Sequence, residues 1–163
     1  MHGIRGSLVF FGNELATVLD LRYFPYRMAH FRTDRSQWPI VVHHSDGVMG
    51  PEQTQLLLDA LTATLARNER HVSVFESTKL TNYKRCDRDR IVSWMKHNDP
   101  LLQQYAVATA VVLESAALRF AIAAVMLLYR PKWPIKVFGS LNSALVWARA
   151  QLQTDAMRIS KTG

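Results

Sequence analysis

The chain has 163 residues, of which 48% are hydrophobic, and 20 Lys and Arg residues against 13 Asp and Glu give it a formal net charge of +7. This length and composition predict one globular domain with a sizeable core. The single cysteine, Cys86, excludes an internal disulfide and a thiolate metal cluster, and it favours a reducing cytoplasm. The positive charge attracts anionic partners. Nucleic acid is disfavoured among them, because the cations are not interleaved with aromatic residues as a stacking platform requires.

The N-terminal part of the chain gives the weakest pattern. Residues 1–25 predict only an arm, in which Asn13–Leu21 fits either a short helix or a loose segment. Tyr26–Arg32 then fits a strand, and the polar run Thr33–Gln37 fits a turn before the clearer strand Pro39–His44. We expect these two strands to pair as an antiparallel hairpin at one side of a sheet.

From Pro39 to Leu152, short β-branched runs alternate with longer amphipathic stretches, the pattern of βαβ units. Ser45–Gly47 should break regular structure after the first clear strand. The elements expected beyond it are a helix beginning at Pro51, a strand His71–Phe75, a polar connection Glu76–Arg85, a helix capped by Asp87 and ending at Asn98–Pro100, a buried central strand Ala106–Leu113, a helix from Ser115 to Tyr129, a strand Ile135–Phe138, and a helix through Ala144, Ala148 and Leu152.

These elements predict an α/β fold, a mixed sheet of four to five strands with about four helices packed against it. The predicted domain spans residues 26–153, and a flexible polar tail follows at residues 154–163.

The connection between the strand at His71–Phe75 and the next helix is the first candidate site. It leaves the carboxyl end of a strand and enters a helix N-terminus, the place where open α/β sheets bind ligands and partners. Its candidate binding residues are Ser77, Thr78, Thr81, Tyr83, Arg85 and Arg88. The alternative interpretation of this connection is an ordinary solvated loop.

Arg119 is the second candidate. It is the single charged residue of Ala116–Tyr129, a stretch of fourteen residues that is too short for the roughly 20 that cross a bilayer and is therefore expected as a buried helix. Its side chain either reaches solvent or pairs with Glu114, or it faces a ligand. If the two connections open at the same sheet edge, Arg85, Arg88 and Arg119 converge on one basic patch.

The residue types and their spacing do not indicate a catalytic site or a metal site. The sequence has neither a Gly-x-Ser-x-Gly elbow nor a Gly-x-x-x-x-Gly-Lys loop, and Cys86 has no identifiable catalytic partner. His43 and His44, with Asp46 nearby, are adjacent strand residues that should face opposite sides of the sheet, so they do not suit one ion. We expect no catalytic residue, no metal and no cofactor.

Several short segments, in this order and spacing, resemble a known group of proteins. They are the strand Trp38–Val42, the helix start Gly50–Gln53, Arg90 with Trp94, the helix opening Ala116–Arg119, and Pro134–Phe138 followed by Ala144 and Trp147. From Tyr26 to Leu152 the chain is similar to the STAS-like, or SpoIIAA-like, group related to anti-sigma-factor antagonists, which includes bacterial proteins grouped with CRAL-TRIO lipid-binding domains.

The resemblance implies a STAS-like sheet and a role in protein–protein regulation or small-ligand sensing. Antagonists of this type switch partners by phosphorylation of a serine, preceded by aspartate, at the start of the second helix. Here that region reads Arg85-Cys86-Asp87-Arg88, so the usual phospho-serine is missing.

We therefore expect a cytoplasmic, non-enzymatic regulatory or scaffold module that acts by binding a protein partner. The alternative is a binder of a small amphiphilic or lipid ligand in an apolar pocket beneath Ala116–Tyr129, with Arg119 holding an acidic head. The oligomeric state is open, and a homodimer is compatible with the sequence.

Overall fold

A computed structural model describes residues 30–83 and 85–161 of the chain, with the side chains of residues 81–83 and 121 left out. The predicted arm at residues 1–25 and its helix at Asn13–Leu21 lie outside the described residues, as does the first part of the predicted strand Tyr26–Arg32.

Six strands and five helices follow one another in the described part of the chain. In order they are β1 (His30–Asp34), β2 (Ile40–Met49), α1 (Pro51–Leu65), β3 (His71–Glu76), β4 (Leu80–Tyr83), α2 (Arg85–His97), α3 (Asp99–Tyr105), β5 (Ala106–Val112), α4 (Ala116–Tyr129), β6 (Ile135–Phe138) and α5 (Leu141–Ser160).

The strands form one mixed sheet in the order β1-β2-β3-β5-β6, and β4 pairs with the end of β2. The pair β1/β2 is antiparallel, with Thr33 opposite His43, and the other pairs are parallel. Both the predicted α/β class and the predicted hairpin at the side of the sheet are confirmed. The turn is shorter than predicted, because Thr33 and Asp34 pair with β2 and belong to β1. Parallel strands require crossover connections, and helices supply them here.

The first difference from the sequence expectation concerns the end of β2. Ser45–Gly47 does not break the strand, which runs on to Met49 with Gly47 at φ 82° and a register shift after it. The connection Glu76–Arg85, predicted as a polar loop, contains β4, and Leu80 pairs with Gly47. Each segment supplies the backbone hydrogen-bond partner that the other lacks, so both become strands.

The helix ends also differ from the expectation. α2 begins at Arg85, so Asp87 lies inside its first turn and is not the cap. Asn98–Pro100 ends α2 as predicted but starts the short α3, which raises the helix count from about four to five in the described part of the chain. Finally, α5 continues through residues 154–160, where the sequence predicted a flexible tail.

The two faces of the sheet are covered by different helices. On one face, α5 places Ala144 and Ala148, both fully buried, against the apolar side chains of the inner strands, which include Val72, Val74, Ala108, Ala110 and Val112. On the other face lie α1, α2 and α4, and Leu118 of α4 packs on Val111 and Leu113. Every residue of β5 is buried, as expected for a central parallel strand.

A bidentate ion pair ties α5 to the start of β3. Arg70 donates from Nε to Asp155 Oδ2 at 2.5 Å and from Nη2 to Oδ1 at 2.6 Å, and its Nη1 donates to the Gln104 carbonyl oxygen at 2.6 Å. Arg158 also donates to Asp155. The Arg70 hydrogen bonds, followed by those of Arg158, lower the pKa of the Asp155 carboxyl below its usual value. This ion pair stabilises the helical conformation of the C-terminal residues of α5.

Replacement of Arg70 should therefore destabilise the fold. We expect Arg70→Ala to lower the free energy of unfolding by about 2 kcal/mol, because the mostly buried carboxylate of Asp155 loses its two strongest donors. Chemical denaturation followed by circular dichroism measures this. The control is Arg85→Ala, which removes an exposed pair with Asp89 at 3.8 Å and should cost at most about 0.5 kcal/mol. Equal losses in the two variants would contradict the anchoring role.

Candidate functional site

The chain topology brings the two predicted cationic segments to one side of the sheet. Strands β2, β3, β4 and β5 all run in the same direction. Their carboxyl ends therefore lie at the same end of the sheet, which we call the carboxyl edge. Helices α2 and α4 follow β4 and β5 directly and therefore begin at that edge. This is the position at which open α/β sheets place their ligands.

The three predicted arginines lie in the first turns of these two helices. The Arg85 side chain is 86% exposed, with its Nε 3.8 Å from Asp89 Oδ2, and Arg88 Nη2 lies 3.3 Å from Asp89 Oδ1. Arg119 is exposed and donates from Nη2 to the Glu114 carbonyl oxygen at 3.0 Å. They therefore share an edge, but each is engaged within its own segment, and no contact in the described part of the chain joins Arg119 to the other two.

The outer face of α4, which we define by Phe120, Leu127 and Leu128, was not singled out by the sequence reasoning. Phe120 is 80% exposed, and Leu127 and Leu128 are exposed as well. Their spacing of seven and eight residues, two helical turns, was the available signal. It was missed because the inward set Leu118, Ile122, Val125 and Met126 already explained the helix. Apolar patches on a surface mark interaction sites when they are large.

The remaining predicted loop residues occupy different environments. Ser77 is buried. The Thr78 hydroxyl hydrogen-bonds the Glu76 carboxylate, which also contacts His44 Nδ1 at 3.1 Å. Burial alone would raise the pKa of Glu76, but the hydrogen bonds from Thr78 and His44 outweigh it and lower that pKa. Thr81 and Tyr83 lie in β4, and their side chains are outside the described set.

The first turn of α2 also contains a thiol and a buried carboxylate, at Cys86 and Asp87. Cys86 is a free, exposed thiol. Asp87 is fully buried, and neither of its carboxylate oxygens accepts a hydrogen bond in the structure as described.

A partly open cavity of about 130 Å³ lies between the sheet and helices α1, α2 and α4. The face of α4 that lines it consists of Leu118, Ile122, Val125 and Met126, and Ser73, Phe75 and Ser77 of the β3 segment form part of its floor. Its lining contains no Asp, Glu, Lys or Arg among the described residues. Such a cavity is mostly apolar with a few hydroxyl groups, which is typical of small-molecule sites.

The cavity lies beneath Ala116–Tyr129, where the sequence placed an apolar pocket. Arg119 does not line it, because its side chain is exposed and donates to the backbone of Glu114. Arg119 is therefore not placed to hold the acidic head of a ligand inside this cavity, which differs from the sequence expectation.

The neighbouring histidines of β2 point to opposite faces of the sheet. His43 is fully buried between Phe31 and Phe75, with ring centroids 6.2 and 5.1 Å away, and its Nδ1 lies 3.1 Å from Thr33 Oγ1. His44 contacts Glu76 instead. Across residues 30–83 and 85–161, no group of three or more His, Cys, Asp or Glu side chains is placed to hold a metal ion.

Comparisons with known proteins bear on the fold alone. No protein-family model matches the chain, and no curated protein matches it. Seven chains of solved structures match. One is the crystal structure of an uncharacterized protein from the DUF3478 family with a SpoIIAA-like fold, from Shewanella loihica, which is 15% identical with a TM-score of 0.56 over 74% of this chain and 93% of that one. The chain has a SpoIIAA-like fold, which confirms the STAS-like expectation.

The described residues contain no helix that is both long enough and apolar enough to span a bilayer.

Burial of His43 makes stability depend on pH. Burial, followed by the charges of Arg35, His71 and His44, lowers the pKa of His43 from 6.5 to about 3. Between these two values the unfolded chain binds a proton that the folded chain does not, so the free energy of unfolding falls as pH falls from 6.5 towards 3. One such group contributes up to about 1.4 kcal/mol per pH unit.

We expect His43→Phe to flatten this dependence, because the variant keeps a ring between Phe31 and Phe75 and removes the titrating nitrogen. Urea denaturation at several pH values between 4 and 7 gives the slope, and His97→Phe on the exposed end of α2 is the control that should keep the wild-type slope. A His43→Phe slope equal to that of the wild type would show that His43 titrates normally.

Proposed function

We propose that this chain is a non-enzymatic regulatory or scaffold module of the cytoplasm that binds a protein partner at the carboxyl edge. The carrying observation is that exposed Arg85, exposed Arg119 and the largely exposed Phe120 all lie within the first five residues of helices that begin at this edge. The SpoIIAA-like fold supports a binding role, although a shared fold alone does not define function.

The chemistry of this edge favours a partner with acidic side chains. Aromatic residues and arginine are enriched at the centres of protein interfaces. The Arg85–Asp89 pair is solvent-exposed at 3.8 Å and contributes little to stability, so the guanidinium remains free to exchange partners. A net charge of +7 also speeds the approach of an acidic partner.

The start of α2 also supports regulation without the usual phospho-serine. Arg85, Cys86 and Asp87 occupy the first turn of this helix. Asp87 is buried and has no hydroxyl group that could be phosphorylated. In sequence it lies between two cations, Arg85 and Arg88. Within this proposal, binding is controlled by the partner's charge and not by phosphorylation at this turn.

The double variant Arg85→Glu/Phe120→Ser should lose the partner, because it reverses an edge charge and removes the exposed ring. Its control, Val146→Ser/Lys161→Glu, makes the same charge reversal and also replaces an exposed apolar residue by serine, at α5 and its C-cap and away from the carboxyl edge. Both variants and the wild type serve as baits in extracts of the native cell, followed by quantitative mass spectrometry. For a partner that co-purifies with both the wild type and the control, the amount recovered with the Arg85→Glu/Phe120→Ser variant should be at least ~10-fold lower. Identical partner sets for all three baits would contradict the proposal.

The cavity favours a second candidate function, the binding of a small, largely apolar ligand. Its volume of about 130 Å³ is close to that of an engineered cavity of about 150 Å³ that binds benzene. Its walls come from strands β2 to β6 and from helices α1 to α4, and α4 contributes an entire helical face to it.

We expect Val125→Phe to abolish binding of an apolar probe such as toluene, because the larger ring of a residue that lines the cavity fills the space. Ligand-observed NMR titration with toluene measures binding, and Val146→Phe on the exposed side of α5 should leave it unchanged. Circular dichroism checks that the variant folds. Failure of the folded wild-type protein to bind either toluene or the more polar phenol would contradict a ligand role for the cavity.

A further inference from the structure

Three hydroxyl groups lie on the floor of the cavity. Ser45, Ser73 and Ser77 line it and are only 9, 7 and 8% exposed. The structure records no side-chain hydrogen bond for any of them to the residues it describes. A buried hydroxyl without a partner costs free energy, so buried polar groups of this kind usually have a partner, whether protein, water or ligand.

Several other polar groups of the lining are hydrogen-bonded within the protein. Trp133 Nε1 donates to Thr109 Oγ1 at 2.9 Å, and Trp94 Nε1 donates to Thr62 Oγ1 at 3.0 Å. His71 Nδ1 lies 3.0 Å from the Glu69 carbonyl oxygen, and burial lowers the pKa of His71, so its ring is neutral at pH 7. The serine hydroxyls and His71 Nε2 are the polar groups of this lining without a side-chain hydrogen bond in the described part of the structure, and of these only the hydroxyls can both donate to and accept from a ligand.

Two of the three serines follow the last register pair of β2 and β3. That pair is His44 with Glu76; Ser45 comes next within β2, and Ser77 comes immediately after the end of β3. Ser73 lies four residues before Ser77, inside β3, with Phe75 between them. Ser45 and Ser77 can therefore hydrogen-bond one polar atom together, at the carboxyl end of the cavity.

We propose that the cavity binds an uncharged molecule with a small apolar body and a single hydroxyl or carbonyl group, and that Ser45 and Ser77 hydrogen-bond this group. The inference rests on the second candidate function and names its ligand class.

An acidic or basic ligand is disfavoured by the same lining. No Asp, Glu, Lys or Arg of the described chain reaches the cavity, and an ionised group buried without a partner is costly. The volume sets the size, since about 130 Å³ accepts a body of about one six-membered ring. The ligand class is thus a small neutral alcohol, phenol, ketone or aldehyde.

Toluene and phenol test this assignment, because they differ only by exchange of a methyl group for a hydroxyl. Dissociation constants are measured by NMR titration for the wild type and for Ser45→Ala/Ser77→Ala. The double variant should bind phenol roughly two- to tenfold more weakly than the wild type while its affinity for toluene stays the same or rises, since hydrogen bonds of this kind contribute modestly. Benzoate should bind to neither protein.

Ser73→Ala is the matched control, since it removes a hydroxyl from the same floor away from the proposed pair. It should leave phenol binding unchanged, and a loss here with none in the double variant would overturn the placement. Equal effects of Ser45→Ala/Ser77→Ala on phenol and toluene, or tight benzoate binding, would overturn the ligand class while cavity binding stands. If neither toluene nor phenol binds any of the folded proteins, the second candidate function itself fails.

Discussion

The structure depends on the burial of β5 on both faces. A central parallel strand with no solvent-facing side must be covered by helices above and below, and the chain supplies them through its crossovers. In one layer, Ala144 and Ala148 of α5 are fully buried against the sheet. The opposite layer rests on a floor that includes Ser45, Ser73 and Ser77, and the large side chains of three helices leave a void above it. The candidate ligand site thus lies in the layer that α1, α2 and α4 build over the sheet.

Local patterns in the sequence predicted most of the core architecture. The β-branched runs gave β3, β5 and β6, and proline at Pro51 together with Ser115 marked the starts of α1 and α4. These signals work because strand and helix periodicity are properties of neighbouring residues. The elements that were missed depend on partners distant in sequence. β4 is short and polar and exists by pairing with β2, while the end of α5 is held by Arg70, which lies 85 residues before Asp155.

The candidate sites were harder to predict for a related reason. The topology rule led to the start of α2 and to Arg119, and both lie at the carboxyl edge. It could not assign Ser77 to the interior, because Ser77 lies just after β3 and its N–H donates to the Val112 carbonyl oxygen of β5 at 3.0 Å, a partner distant in sequence. A void cannot be deduced from a list of core residues, since its lining consists of the same Leu, Ile and Val that fill an ordinary core. Phe120 escaped notice because the opposite face of α4 already accounted for burial.

The position of Cys86 has a practical consequence for work on this protein. It is the one thiol in the sequence and is exposed in the first turn of α2, next to Arg85. A maleimide dye would attach there at a single known place on the unmodified protein. The fluorescence of the dye would change when a partner or ligand binds at the starts of α2 and α4. The native chain therefore already contains a single labelling site for fluorescence spectroscopy.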